Sequence, residues 1–329
     1  MDNNTYIDIK NISMWYPVNS GLKSIGKEKK WIKAVDDITI GIERGEVLGV
    51  IGESGCGKST LGRVLVRLEN PTSGDVLIDG QSTKNLIKND YKAFRRLVQI
   101  VFQNPYDSFT PRDTIEKILM RPLRIHDIGK SDADRNTIIK EALEASGLRP
   151  AEDIMSRYPH QLSGGQLQRI SILRSMLLEP KFIIADEPVS MLDVSVRADI
   201  ISMLLRLSKE NNASVVFISH DISLTRYISN KIAVMYLGKI VEYGDSEVVV
   251  NEPKHPYTQV LLSNCASIDP NERMNKLSVE GEPPTPINPG PGCYFAPRCF
   301  KAVEQCFNKY PDNIVLENGH YVACDRYNK

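Results

Sequence analysis

Residues 47–65 read Val-Leu-Gly-Val-Ile-Gly-Glu-Ser-Gly-Cys-Gly-Lys-Ser-Thr-Leu-Gly-Arg-Val-Leu. The first five are a short, β-rich apolar run, the pattern of a parallel strand buried on both faces. Residues 52–59 fit G-x-x-x-x-G-K-S, and the apolar spacing after Lys58 predicts a helix. Strand, glycine loop and helix together give the context that makes this motif a phosphate-binding loop. Its backbone N–H groups and the helix N-terminus are placed to hold phosphates. Candidate phosphate contacts are Gly52, Ser54, Gly55, Cys56, Gly57, Lys58, Ser59 and Thr60. Among them Lys58 is expected to reach the β- and γ-phosphates, Ser59 to ligate Mg²⁺ and Thr60 to touch the α-phosphate.

A second apolar run, Phe182-Ile183-Ile184-Ala185, ends in Asp186-Glu187. Ligands of open parallel sheets bind at the carboxyl ends of the strands. Asp186 therefore suits a Mg²⁺ shell, because Mg²⁺ takes oxygen ligands and keeps several waters. Glu187, one residue on, is the candidate base that orients and deprotonates an attacking water.

Residues 162–166 read Leu-Ser-Gly-Gly-Gln and open a helical pattern, with Ser163 as a plausible N-cap. In this order, phosphate loop, Leu-Ser-Gly-Gly-Gln and Asp-Glu strand, the chain resembles the ATP-binding-cassette (ABC) ATPases. The resemblance implies that the chain binds and hydrolyses ATP. It also implies that Ser163, Gly164, Gly165 and Gln166 cap the γ-phosphate held by a facing subunit. With one loop, one signature and no internal repeat, a second cassette is implied, head to tail across two shared ATP molecules. Further positions match one by one. Gln103 resembles the glutamine that senses Mg²⁺ and links to the transported-substrate side. His220, after the apolar run ending at Ile218, resembles the histidine on the γ-phosphate. Asp193 in Ser190-Met191-Leu192-Asp193 resembles the D-loop aspartate, with Met191 where alanine is usual. Tyr16 falls where an aromatic ring stacks on adenine, and Trp15 and Trp31 are rivals because residues 19–31 read as an inserted loop.

The implied fold is α/β: an ABC-type P-loop core, an antiparallel β subdomain, a helical subdomain at about 104–167, and a small cysteine-containing C-terminal extension. Alternating apolar and polar positions over residues 1–48, and strand-poor helical patterns after residue 104, agree with that layout. Ile232–Met235 and Lys239–Glu242 read as a hairpin turning at Leu237-Gly238. The expected division is an ATPase domain at 1–245 and an extension at 246–329.

The extension narrows the resemblance. His255-Pro256-Tyr257-Thr258 opens a helix, residues 281–292 are crowded with proline and glycine and read as a linker, and Cys293, Cys299, Cys306 and Cys324 follow. This arrangement is similar to the ATPases of oligopeptide/dipeptide importers, which nickel importers share. Four cysteines in a segment with little apolar core suggest a staple. In a reducing cytosol metal ligation is favoured over disulfides, and the absence of a C-x-x-C pair argues against an ordinary zinc knuckle. Some members of the family carry a [4Fe–4S] cluster on these cysteines, and zinc or free or disulfide-bonded thiols are the alternatives. Cys56 and Cys265 read as incidental, with Cys56 oxidation-sensitive if the helix N-terminus favours its thiolate.

Lys plus Arg and Asp plus Glu number 41 each, which speaks against bulk nucleic-acid binding. No run approaches the ~20 apolar residues of a membrane span, and the N-terminus lacks signal-peptide character. The expectation is a peripheral protein on the cytoplasmic side of the membrane, with two transmembrane permease subunits and, indirectly, an extracellular substrate-binding protein. By analogy with the family the second ATPase is a different chain, a heterodimer being favoured over a homodimer. Rival readings keep the engine for nickel or another small solute, make the chain a soluble ABC ATPase, or make it a non-catalytic subunit.

Overall fold

Strand Val47–Ile51 lies beside strand Lys231–Tyr236 in parallel register, Leu48 opposite Lys231 and Ile51 opposite Val234. Val50, Ile51, Ile232 and Val234 are fully buried, which explains the unbroken apolar run of both strands. Each such side chain contributes about 1.5–3 kcal/mol through burial. The computed structural model describes residues 5–18, 29–264, 277, 281, 283–316 and 319–328. Most of the expected insertion at 19–31, and Cys265, lie outside the described residues.

The chain divides into two compact units. One is drawn from Met1–Ile42, Val47–Gly80 and Phe217–Lys329, the other from Glu43–Glu46 and Gln81–Val216. In the first, strands Trp31–Glu43, Thr5–Pro17 and Ser73–Ile78 lie side by side. Thr5–Pro17 pairs antiparallel with Ser73–Ile78, Ile7 opposite Ile78 and Ile9 opposite Val76. This is the antiparallel sheet read from the alternation of the N-terminal segment. The expected hairpin is also present: Lys231–Tyr236 and Lys239–Asp245 pair antiparallel across Leu237 and Gly238, both with positive φ (43° and 84°). A two-residue turn with left-handed backbone at both positions matches the twist of the flanking strands.

The C-terminal extension continues this unit. Strand Tyr321–Val322 adds antiparallel to Lys239–Asp245, and Ile314–Val315 adds to Tyr321–Val322. Glu242, wholly buried, anchors the arrangement. Its carboxylate accepts the backbone N–H of Lys254 and of His255, each at 2.8 Å, and sits 2.9 Å from His320 Nε2. The proline- and glycine-rich stretch read as a linker is tied down in part. Lys33 N–H donates to the Pro286 carbonyl (3.0 Å) and Asn288 N–H to that of Trp31 (2.9 Å), so it runs along strand Trp31–Glu43.

In the second unit, strands Val98–Val101 and Phe182–Asp186 pair in parallel, Val98 opposite Phe182 and Val101 opposite Ala185. Every regular element between them is helical, including Ile115–Ile125, Asp132–Ala145 and Gly164–Met176. These helices bury Leu119, Leu123, Ile139, Leu143 and Ile170.

Candidate functional site

The phosphate loop bends out of strand Val47–Ile51 into helix Lys58–Leu65, as its sequence requires. Gly57 is the tightest point: φ is 110°, and a Cβ there would fall 1.9 Å from the Ala34 carbonyl oxygen. Gly52 is nearly as confined, with a Cβ 2.2 Å from the Met235 oxygen. Lys58 is buried and its Nζ donates to the carbonyls of Gly52 (2.7 Å) and Glu53 (2.9 Å), so the ammonium is held at the mouth of its own loop. Tyr16 lies beside the loop's helix. Its hydroxyl donates to Glu69 and is hydrogen-bonded to Thr60, and burial together with the Glu69 carboxylate pushes it up to about 12. Strand alternation turns the neighbouring Trp15 elsewhere: its Nε1 donates to Asp36 at 3.2 Å, with Lys33 Nζ 4.6 Å above the ring. Trp31 is tied by its backbone to Asn288. Tyr16 is thus the one of the three aromatics with a contact to the phosphate-loop segment. His220 is exposed just beyond strand Ser214–Ile218, between the buried Ser219 and Asp221, whose carboxylate caps helix Ile222–Ile228.

Cys56 lies inside the loop. Its side chain is buried, and burial pushes the thiol up despite the attraction of Lys58, whose Nζ is 3.8 Å from Sγ. Desolvation outweighs the ammonium, so the condition set for oxidation sensitivity, a favoured thiolate, is not met. Iodoacetamide at pH 8 is expected to leave Cys56 of the native chain unmodified and to label it on unfolding, read by peptide mass mapping. Rapid labelling of the folded protein would contradict this.

The second unit brings two candidate side chains together, with a serine beside them. Gln103 Nε2 donates to Glu187 Oε2 at 3.1 Å and to Ser190 Oγ at 3.3 Å, and Ser190 Oγ donates to the Glu187 carbonyl at 3.1 Å. Sequence reasoning gave Ser190 no role, since a serine four residues past a strand end carries no signal of its own. Glu187 follows the buried Asp186 and has φ of 46°. A left-handed non-glycine residue costs of order 1–3 kcal/mol and marks a place where the surrounding structure dictates the backbone. Ser163 caps helix Gly164–Met176 in a capping box: Gln166 N–H donates to Ser163 Oγ (3.3 Å) and Ser163 N–H to Gln166 Oε1 (3.0 Å). Gly165 has a reason within the chain too, because a Cβ there would meet Val196 Cγ1 at 2.8 Å. Asp193 precedes helix Val194–Glu210 and is exposed with Met191 and Val194.

A model of the ABC transporter family matches residues 35–190, and one described as the oligopeptide/dipeptide transporter C-terminal region matches 241–306. A putative oligopeptide transport ATP-binding protein, YkfD of Bacillus subtilis (strain 168), is 45% identical over 302 residues, covering 91% of each chain. This chain belongs to the ABC transporter family. A second relative of this ABC protein, the dipeptide transport ATP-binding protein DppF of Haemophilus influenzae, is 43% identical over 98% of this chain and 97% of its own. A solved structure described as the dimeric, post-hydrolysis state of the ATP-binding cassette MJ0796 bound to ADP and Pi aligns with a TM-score of 0.63 at 30% identity. It covers 73% of this chain and 98% of that one. The fold is the α/β ABC cassette, and this ABC protein is an ATPase coupled to transport. No described helix is long and apolar enough to cross a membrane.

In the extension, Cys293, Cys299, Cys306 and Cys324 line one small cavity together with Phe295 and His255. All four are free thiols. Burial pushes Cys293 up to about 12, while the backbone N–H groups of Phe295 and Ala296 point at its sulfur. Lys301 N–H donates to Cys299 Sγ at 3.4 Å, and burial pushes the Cys324 thiol up, offset in part by the Arg326 backbone. Among the described residues no three His, Cys, Asp or Glu side chains gather closely enough to hold a single metal ion. This arrangement supports neither the zinc nor the iron–sulfur expectation.

Proposed function

We propose that this chain hydrolyses ATP to energise import of di- and oligopeptides across the cytoplasmic membrane, as the nucleotide-binding subunit of an ABC importer. The observation that carries this is the pairing, in one chain, of the cassette match with the oligopeptide/dipeptide C-terminal match. Relatives named for oligopeptide and dipeptide transport, similar over almost their whole length, support it.

In this reading the phosphate-loop amides and Lys58 bind the β- and γ-phosphates, and Tyr16 stacks on adenine. Ser59, Gln103 and Asp186 would hold Mg²⁺, which when bound neutralises charge on the phosphate oxygens. Glu187, steadied by Gln103, takes the proton of the attacking water. Lys58 and His220 stabilise charge developing on the γ-phosphate. Ser163 and its glycines serve the ATP of a facing cassette, with Asp193 near that junction. The dimeric state of the MJ0796 cassette and the exposure of Met191 and Val194 support a two-cassette arrangement. The partner ATPase is proposed to be a different chain. Both sit on the cytoplasmic face of two permease subunits, which receive substrate from an extracellular binding protein. Uptake of labelled dipeptides and nickel by a strain lacking this chain tests the cargo. Peptide uptake is expected to vanish and to return with the wild-type chain, whereas loss of nickel uptake alone would overturn the assignment.

The four cysteines are proposed to hold a [4Fe–4S] cluster. Four sulfurs line one cavity, the number that a cluster with one thiolate per iron takes. When bound, the cluster would supply a redox-active or structural iron–sulfur group. Anaerobically purified protein is expected to contain about four irons and four sulfides per chain, lost in Cys299→Ser. Stoichiometric zinc, or no metal, would remove the cluster.

A further inference from the structure

Glu53 follows the first glycine of the phosphate loop, at a position the motif leaves open. Here it is held from three sides. Its backbone N–H donates to the Tyr257 hydroxyl at 2.8 Å. Its carbonyl accepts from Lys58 Nζ at 2.9 Å. Its carboxylate receives both terminal nitrogens of Arg298, at 2.9 and 3.2 Å, a two-pronged pair of the kind that fixes geometry as well as charge. Tyr257 lies in the first turn of the helix of the His-Pro-Tyr-Thr element, and Arg298 lies in sequence between Phe295 and Cys299, both of which line the four-cysteine cavity.

Both groups are themselves fixed. Tyr257, Tyr236 and Phe295 are each at most 1% exposed and form a three-ring cluster, with centroids 4.6, 5.3 and 5.4 Å apart. Arg298 also donates to the Tyr236 hydroxyl (3.3 Å) and the Gly281 carbonyl (3.1 Å), while its buried Nε has no partner among the described residues. Losing Glu53 would therefore strand a mostly buried guanidinium, so the contact is strongly constrained. Packing of the rings alone would attach the extension to the cassette. It does not explain why a neutral donor–acceptor pair and an ion pair, from two separate elements, converge on one phosphate-loop residue.

We propose that Tyr257 and Arg298 of the C-terminal extension are positioning residues for ATP: they hold Glu53, and through it the first turn of the phosphate loop and Lys58, in the conformation that receives phosphates. Loop amides bind phosphate only when they already point inward, so loosening this anchor weakens ATP binding without removing any group that touches it. The proposal rests on residues 52–60 being the phosphate site, and the test separates the two.

ATP affinity, with Mg²⁺, is measured by titration of the full-length chain, and amide hydrogen exchange is followed over residues 47–60. Tyr257→Phe keeps the ring packing, and Glu53→Gln and Arg298→Gln each break the ion pair. Each is expected to weaken ATP binding about 3- to 10-fold and to speed exchange in residues 52–57, leaving strand Val47–Ile51 unchanged. Because Glu53→Gln and Arg298→Gln break the same contact, the double variant is expected to be no weaker than the worse single. Lys58→Ala is expected to lose ATP binding. If it does and the other variants bind ATP as the wild type does, or their effects add in full, the positioning role is overturned. If Lys58→Ala also binds normally, the phosphate-loop assignment falls, and the proposal with it.

Discussion

In Glu187→Gln, ATP turnover is expected to fall by about 10²- to 10⁴-fold while ATP binding persists, the span associated with loss of a general base. The substitution is close to isosteric. Gln103 Nε2 sits 3.1 Å from Glu187 Oε2 and can donate to an amide oxygen in its place, so the local arrangement survives while the proton acceptor is lost. The unhydrolysed nucleotide is then expected to hold two cassettes together, visible as a dimer in size-exclusion chromatography with ATP and absent with ADP. Phosphate release measured at saturating ATP decides the matter. Turnover equal to that of the wild type would remove Glu187 as the base.

The second large effect is expected at Gly57. An alanine there meets two separate obstacles: a φ of 110° that L-residues avoid, and a Cβ only 1.9 Å from the backbone oxygen of Ala34. A backbone atom cannot rotate aside, so the loop must move. A displacement of about 1 Å in a positioning element can cost about 10² in effect, and ATP affinity of Gly57→Ala is expected to drop by at least that order. Gly55→Ala is the steric contrast, since nothing lies within 4 Å of a Cβ there and only the left-handed backbone, φ 77°, is strained. Its thermal midpoint is expected to fall less than that of Gly57→Ala. Near-native ATP affinity in Gly57→Ala, or equal destabilisation by the two alanines, would contradict the loop geometry.

What could be read from the chain was local. Strand, loop and helix at 47–65 follow from adjacent residues, as do the N-cap at Ser163 and the turn at Leu237-Gly238, and all three are present in the structure. What could not be read depends on partners distant in sequence. Sequence alone leaves conditional whether a helix N-terminus activates Cys56, and its burial is set by packing that its neighbours in sequence do not announce. Arg298 meets a residue 245 positions earlier, and Tyr257 one 204 positions earlier. The proline-rich stretch looked like a linker because composition reports flexibility and not the pairing of Asn288 with Trp31. The strained backbone of Glu187 is equally silent in sequence, since nothing in Asp-Glu-Pro specifies a positive φ. Tyr16 and Trp15 are separated by strand alternation, which could have been applied once the register of strand Thr5–Pro17 was known.

Hydrolysis at this site is proposed to drive peptide movement. The direct measurement is accumulation of a labelled dipeptide in vesicles carrying the reconstituted transporter, with ATP on the cassette side and the peptide-loaded binding protein on the other. Accumulation is predicted with the wild-type chain and ATP, and none with Glu187→Gln or with ADP. Peptide accumulation that persists with Glu187→Gln, or none with the wild-type chain while nickel accumulates, would contradict it.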